Sequence, residues 1–314
     1  MKPVHRRLGL PGRIWMRRTL YGAAMMAALS GAATSAYADD APMYINPDVG
    51  SGKLLATGGV SNIEGAGGGG ISTWALITGY ATKDQVGGNI HVTYAPLSNY
   101  SVYNTGAAIG LYNRVEFSYN RLAFDTGPTG GKLGLGHNFT FDQDVVGVKV
   151  RLFGDVVYDQ DSFLPQVAAG VQYKSTDRAN ILKAVGAKNH DGADFYVAAT
   201  KLFLNESVLA DATLRLTKAN QAGILGFGGP KNNGYQPEFE GTLAYLFTRK
   251  FAIGGEYRTM PSNLGFSKSD DWKSLYAAYF INKHASVTLA YVSLGTIATL
   301  KNQQGAYLSA QIGF

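Results

Sequence analysis

From Lys53 onward, hydrophobic and polar positions alternate with a period of two rather than 3.6, which predicts strands with unlike faces. In Phe239–Phe247, Phe239, Leu243, Tyr245 and Phe247 share one face, opposite Glu240, Thr242 and Ala244. Residues 208–216 set Val208, Ala210, Ala212, Leu214 and Leu216 against Asp211, Thr213 and Arg215. Val146, Val148, Val150 and Leu152 oppose Gly147, Lys149 and Arg151 in the same way. So do Val167, Ala169, Val171 and Tyr173 against Gln166, Gln172 and Lys174. Segments of about ten residues with this dyad suit an all-β, antiparallel up-and-down transmembrane barrel, apolar toward lipid and polar toward the lumen. A soluble β-sandwich alternates too, but its strands usually run to about five or six residues.

Short polar turns fall near Thr82–Gly87, Asn113, Asp159–Ser162, Asn205-Glu206, Thr248–Lys250 and Asn282–His284. Each has an aromatic beside it: Tyr80, Tyr112, Tyr158 and Phe163, Phe203, Phe247 and Phe251, and Phe280. With Phe314 at the C-terminus, these aromatics are expected at one membrane level, as half of an interfacial girdle. Longer connections rich in Gly, Asn and Ser lie near 61–70, 96–104, 125–144, 175–192, 219–235, 261–271 and 295–303. Short periplasmic turns and longer extracellular loops are the expected asymmetry, and the count predicts about fourteen strands, with twelve and sixteen as alternatives. The 125–144 loop has room for an extra hairpin, and Arg178–Lys188 has helical character.

The final strand places Ala306, Leu308, Ala310, Ile312 and Phe314 on the lipid side. Gln303, Gly305, Leu308, Ala310 and Phe314 together resemble the C-terminal signal read by the bacterial barrel-assembly machinery. The chain as a whole resembles an uncharacterised proteobacterial outer-membrane family. That resemblance is carried by Thr57-Gly58-Gly59-Val60-Ser61 and Glu64-Gly65-Ala66-Gly67-Gly68-Gly69. It implies a location and a fold, and no substrate.

Composition then fixes the compartment. The first 38 residues hold Lys2, Arg6, Arg7, Arg13, Arg17 and Arg18, no acid, a short apolar run from Leu20 to Ala33, and Ala36-Tyr37-Ala38 before Asp39. This is the pattern of a secretory signal cleaved after Ala38, with Ala36 and Ala38 as the small cleavage-site residues. Residues 39–52 then form a short periplasmic or lumenal segment, and 53–314 the barrel. The whole chain has 28 basic and 22 acidic residues, so removing the leader leaves 22 against 22. The basic excess belongs to the leader, which excludes a nucleic-acid partner. Without cysteines, a secreted chain of this length needs another brace, and a closed hydrogen-bonded barrel supplies one.

Several motifs offer chemistry and lose to plainer readings. Gly65–Gly70 satisfies G-x-G-x-x-G, but a strand-like segment, Ile71–Tyr80, follows where a dinucleotide site needs a helix. A flexible hairpin or a close backbone approach inside the barrel explains these glycines instead. His91, His137, His190 and His284 are scattered without zinc spacing, so no metal, cofactor or catalytic residue is assigned. A loop-borne hydrolase using His137 or His190 stands as a rival. Asp142-Gln143-Asp144 and Asp159-Gln160-Asp161 read as turn aspartates rather than calcium ligands.

Positions opposite the apolar faces are expected to line the lumen: Glu116, Lys149, Arg151, Asp211, Arg215, Glu238, Glu240, Glu256, Arg258 and Lys273. Five basic and five acidic groups form either a wet pore with charged walls or a salt-bridged plug. The leading expectation is a porin-like channel for passive passage of small solutes, without enzymatic activity. Alternatives are a fatty-acid-transporter-like barrel, for whose N-terminal hatch residues 39–52 are short, and a structural barrel without transport. Expected partners are outer-membrane lipid and lipopolysaccharide, periplasmic chaperones, the assembly machinery and small solutes.

Overall fold

The computed structural model describes residues 53–157 and 160–314. The leader with Ala36 and Ala38, residues 39–52, Tyr158 and Asp159 lie outside the described residues.

Twelve antiparallel strands close into one cylinder: β3 (Val86–Pro96), β4 (Ser101–Leu111), β5 (Val115–Asp125), β6 (Thr140–Phe153), β7 (Gln166–Thr176), β8 (Asp191–Phe203), β9 (Val208–Thr217), β10 (Gln236–Thr248), β11 (Phe251–Arg258), β12 (Trp272–Asn282), β13 (Ala285–Ile297) and β14 (Leu300–Gly313). Each strand pairs with its sequence neighbours, and β14 pairs back onto β3 with Leu308 opposite Tyr94 and Gly313 opposite Asn89. Closure removes every sheet edge, so the backbone groups of the wall are satisfied without water.

The dyad explains which way each side chain points. Val146, Leu214, Leu243 and Phe239 are about half exposed on the outer face, while Lys149, Arg215 and Glu240 are fully buried inside. An apolar outer belt over a polar interior is stable only if lipid covers the outside.

Connections of 112–114, 154–165, 204–207, 249–250 and 283–284 share one rim with Phe314, here the turn rim. Those of 97–100, 126–139, 177–190, 218–235, 259–271 and 298–299 share the other, the loop rim. The 126–139 connection carries a short helix, Gly127–Lys132, and no extra hairpin. The 177–190 connection carries the helix Ala179–Ala184, which buries Leu182, in line with its helical pattern. The expected 295–303 loop shrinks to two residues, because β13 and β14 extend into it.

The wall therefore has twelve strands, not fourteen, and residues 53–81 account for the difference. Two strands expected there instead form an inward-folded segment, the hatch, with a two-residue ladder between β1 (Val60–Ser61) and β2 (Gly67–Gly68). Almost every residue from Val60 to Gly79 is buried, so the segment has no lipid-facing side. Its pattern departs from the dyad accordingly: Trp74-Ala75-Leu76-Ile77 is a continuous apolar run with no polar alternate. Residues 82–85, read as a hairpin turn, link the hatch to β3.

Two members of the expected girdle also move. Tyr80 belongs to the hatch, and Phe280 faces the lumen, its neighbour Tyr279 taking the lipid side. Tyr112, Phe163, Phe247 and Phe314 are exposed on the outside as expected.

Candidate functional site

Three wall carboxylates grip the hatch through its backbone. Glu116 on β5 accepts the N–H of Gly67 at 3.0 Å and of Thr78 at 2.8 Å. Glu240 on β10 accepts the N–H of Thr73 at 2.8 Å. Glu256 on β11 accepts from Ile71 N at 3.2 Å and from the hydroxyls of Ser72 and Ser274 at 2.6 Å each. Backbone can come this close only where side chains are absent. A Cβ on Gly69 would stand 2.0 Å from Glu256 Oε1, and one on Gly68 would stand 2.3 Å from the Ser72 carbonyl. The glycine run is thus a close backbone approach inside the barrel.

At the hatch apex, Glu64 enters a cluster of three cations. Lys174 Nζ lies 2.5 Å from Oε1, Arg258 forks onto both carboxylate oxygens at 3.0 Å each, and Arg215 Nη2 is 3.5 Å from Oε2. Two wall acids complete the network. Asp194 pairs with Lys174 at 2.5 Å and Arg215 at 3.5 Å, and Glu240 pairs with Arg215 at 2.5 Å and Arg258 at 3.3 Å. Burial pushes the Glu64 carboxyl up, but Arg258, Lys174 and Arg215 outweigh it and hold the group well below the usual carboxylate range. The network is formally neutral and almost wholly dry, with every member at most 3 % exposed. The orientation is shared with rings: Arg215 lies over Tyr196 at 5.0 Å.

The lumen is closed from the loop rim as well. The 218–235 connection turns inward, Phe227 is fully buried, and the carbonyl of Ala222 accepts from Gln143 Nε2 at 3.3 Å and Lys174 Nζ at 3.5 Å. Toward the turn rim the character changes. Leu202, Leu209, Leu246 and Phe280 face inward and meet Val60, Trp74 and Leu76 of the hatch around a small apolar cavity. There Lys53 Nζ donates to the carbonyls of Ile77 at 2.6 Å and Gly79 at 3.1 Å, and burial pushes its ammonium down to about 7.

Of the expected lumen residues, Glu116, Lys149, Arg151, Asp211, Arg215, Glu240, Glu256 and Arg258 are buried inside the cylinder. Lys149 pairs with Glu116, Arg151 with Asp155 at 3.2 Å, and Asp211 accepts from the Thr200 hydroxyl at 2.5 Å. Glu238 is half-buried near the loop rim and accepts from the Thr259 hydroxyl. Lys273 is a correction: it is exposed on the outer face, because Trp272 and Ser274 take the inward positions of β12. Its ammonium sits 6.0 Å from the Tyr257 ring, on the outer face with it.

Glu64, Lys174 and Asp194 were missed as site residues. Lys174 and Asp194 sit at inward positions of β7 and β8, so parity alone points to them; Glu64 carries no such signal, because its segment has no alternation. A second band of aromatics was missed too. Near the loop rim, outward tyrosines donate to the next strand or its edge: Tyr119 to Asp144 at 2.7 Å, Tyr173 to Asp191 at 2.8 Å, and Tyr257 to Asp271. His190 lies 3.7 Å from Asp191, and no hydrogen bond among the described residues joins His137 or His190 to a serine hydroxyl.

The sequence profile of a family described as protein of unknown function, DUF3034, matches residues 57–311. The chain belongs to the DUF3034 family. No curated protein matches it. Among solved structures, the DUF3034 barrel aligns with the KdgM porin at a TM-score of 0.47 and 10% identity, over 72% of this chain and 99% of that one. It aligns with the COG4313 outer membrane channel from Pseudomonas putida F1 at 0.45 and 10%, over 75% and 97%. With outer membrane phospholipase A from Escherichia coli the values are 0.41 and 10%, over 75% and 94%. Likenesses this distant carry no functional argument. The closed cylinder and its apolar outer belt make the DUF3034 chain an outer-membrane β-barrel.

Proposed function

We propose that this barrel is a non-enzymatic channel for small solutes, stoppered by its own hatch and opened when the hatch moves. The observation that supports this is the chemistry of the contact between hatch and wall. Glu116, Glu240 and Glu256 bind hatch backbone by hydrogen bonds, and Glu64 is held by ion pairs. Water can replace such contacts as the hatch leaves, whereas a wholly apolar seal offers water nothing. In this reading the turn rim is periplasmic and the loop rim extracellular. Lipid, lipopolysaccharide, periplasmic chaperones and the assembly machinery are its partners outside the lumen.

The test is deletion of residues 53–80 and single-channel recording in planar bilayers. The full-length protein should conduct rarely, and the deletion variant steadily. A folded variant that lacks both residues 53–80 and the inward-turned 220–228 and still shows no conductance rejects the channel.

A second reading, transport of apolar compounds, has one observation in its favour: the apolar turn-side lumen around Trp74, Leu202, Leu246 and Phe280. The short segment 39–52 counted against a hatch of the kind such transporters use. The hatch formed by residues 53–81 removes that objection. Silence in bilayers with hatch-dependent uptake of apolar compounds would favour this reading.

A further inference from the structure

The Glu64 carboxylate is the only acid of the hatch in the central cluster, and the wall supplies all three cations around it. Arg258 presents both guanidinium N–H groups to its two oxygens at 3.0 Å, Lys174 approaches Oε1 at 2.5 Å, and Arg215 approaches Oε2 at 3.5 Å. This is the fork-on-carboxylate geometry that proteins use to recognise free carboxylates.

We propose that Lys174, Arg215 and Arg258 form a binding site for a monoanionic carboxylate solute, and that Glu64 is a tethered stand-in which such a solute displaces. The proposal deepens the channel reading and rests on it for its physiological role.

Charge supports one negative charge in the site. Without Glu64, the three cations face two wall acids, Asp194 and Glu240, and one positive charge is left uncompensated. A dianion such as sulfate overshoots that balance, and a neutral solute leaves the charge buried and unpaired. The cations themselves stay in place, since each keeps a wall acid within 3.3 Å. The hatch therefore leaves behind a preformed pocket rather than a collapsed one.

Attraction fits the same ligand. The cluster lies at the loop-rim end of β7, β9 and β11, directly under the inward-turned Ala222. The six loop-rim connections carry seven basic residues against three acidic ones, which favours the approach of anions.

Glu64→Ala removes the tethered carboxylate and leaves room for acetate, whose methyl takes the place of the glutamate γ-carbon. Amide exchange of hatch residues 63–73, read by mass spectrometry on the detergent-solubilised protein, should speed up in the variant. Sodium acetate, held more tightly when the hatch encloses it, should slow it again, by at most about elevenfold at ten times its dissociation constant because acetate also occupies the open pocket, while sodium chloride and sulfate at equal ionic strength should not. In the wild type, acetate must compete with Glu64, so it should speed hatch exchange, the opposite sign. That arm serves if the variant does not fold. Absence of both acetate effects, or equal effects from chloride or sulfate, overturns the site. Acetate rescue together with a silent variant lacking both 53–80 and 220–228 keeps the site and rejects the channel; steady conductance without rescue does the reverse.

Discussion

Glu116 and Lys149 sit directly opposite each other on β5 and β6, their charged atoms 3.1 Å apart, and both also hold the hatch. Glu116 accepts the N–H of Gly67, and Lys149 donates to the carbonyls of Gly67 at 3.0 Å and Trp74 at 3.1 Å. One residue of the hatch is thus clamped through both of its backbone polar groups by a single buried ion pair.

Glu116→Ala should leave Lys149 without its carboxylate partner in a dry site. Breaking a buried pair this way costs about 3–5 kcal/mol. The loss should fall on the hatch, because the wall has its own ladder. Faster amide exchange at residues 66–78 with an unchanged heat-modifiable gel shift is the expected outcome. The double variant Glu116→Ala, Lys149→Met should recover part of the loss. Wholesale loss of the folded barrel would show that the pair braces the wall instead.

Gly68→Ala should loosen the hatch hairpin, since its Cβ would lie 2.3 Å from the Ser72 carbonyl, a backbone atom that cannot swing away. Overpacking of this kind costs about 1–3 kcal/mol. Gly134→Ala, where nothing lies within 4 Å, is the control, though its φ of +73° adds a small local strain. More frequent openings in Gly68→Ala than in Gly134→Ala are expected in bilayer recordings. Equal behaviour would mean that the hairpin relaxes at no cost.

Deleting Phe314 should impair assembly more than Phe314→Ala does. The residue exposes its ring to lipid, and its carbonyl accepts the N–H of Tyr80 at 3.1 Å and of Gly88 at 3.0 Å. Substitution removes the ring alone, whereas deletion also removes the acceptor that ties the hatch exit to β3. Pulse-labelled cells should accumulate protease-sensitive protein in the order deletion, substitution, wild type. Equal accumulation would assign the whole effect to the ring.

Once the hatch is deleted, Lys149 and Arg151 stand on one bare wall of the lumen. Changing both to glutamate in that background should shift the reversal potential toward cations under a salt gradient, and more so at low salt. Changing Glu238 and Glu240 to lysine should move it the other way. A conducting pore indifferent to both changes would contradict their inward placement.

The wall was readable because lipid outside and charge inside impose a strict dyad. Val146 to Leu152 and Val208 to Leu216 carry it plainly, and their inward partners Lys149, Arg151, Asp211 and Arg215 followed from parity alone. Lys273 broke the inference because β12 places small and aromatic residues on both faces, so Ser274 and Lys273 compete for the same assignment. Residues 53–81 misled for a different reason. A segment enclosed by wall on all sides needs no polar face, and its short runs imitate strands without pairing as wall. Glu64 could have been found only by asking which acid balances Lys174, Arg215 and Arg258, and that question needs the fold first.

Lys53 N–H bonds the carbonyl of Tyr80, so the chain enters and leaves the lumen side by side at the turn rim. Residues 53–80 thus form a bight with both ends at one rim, and a bight need not be threaded lengthwise through the cylinder. The wall can therefore zip shut first and receive this segment afterwards, and the gating proposed above asks for no opening of the wall.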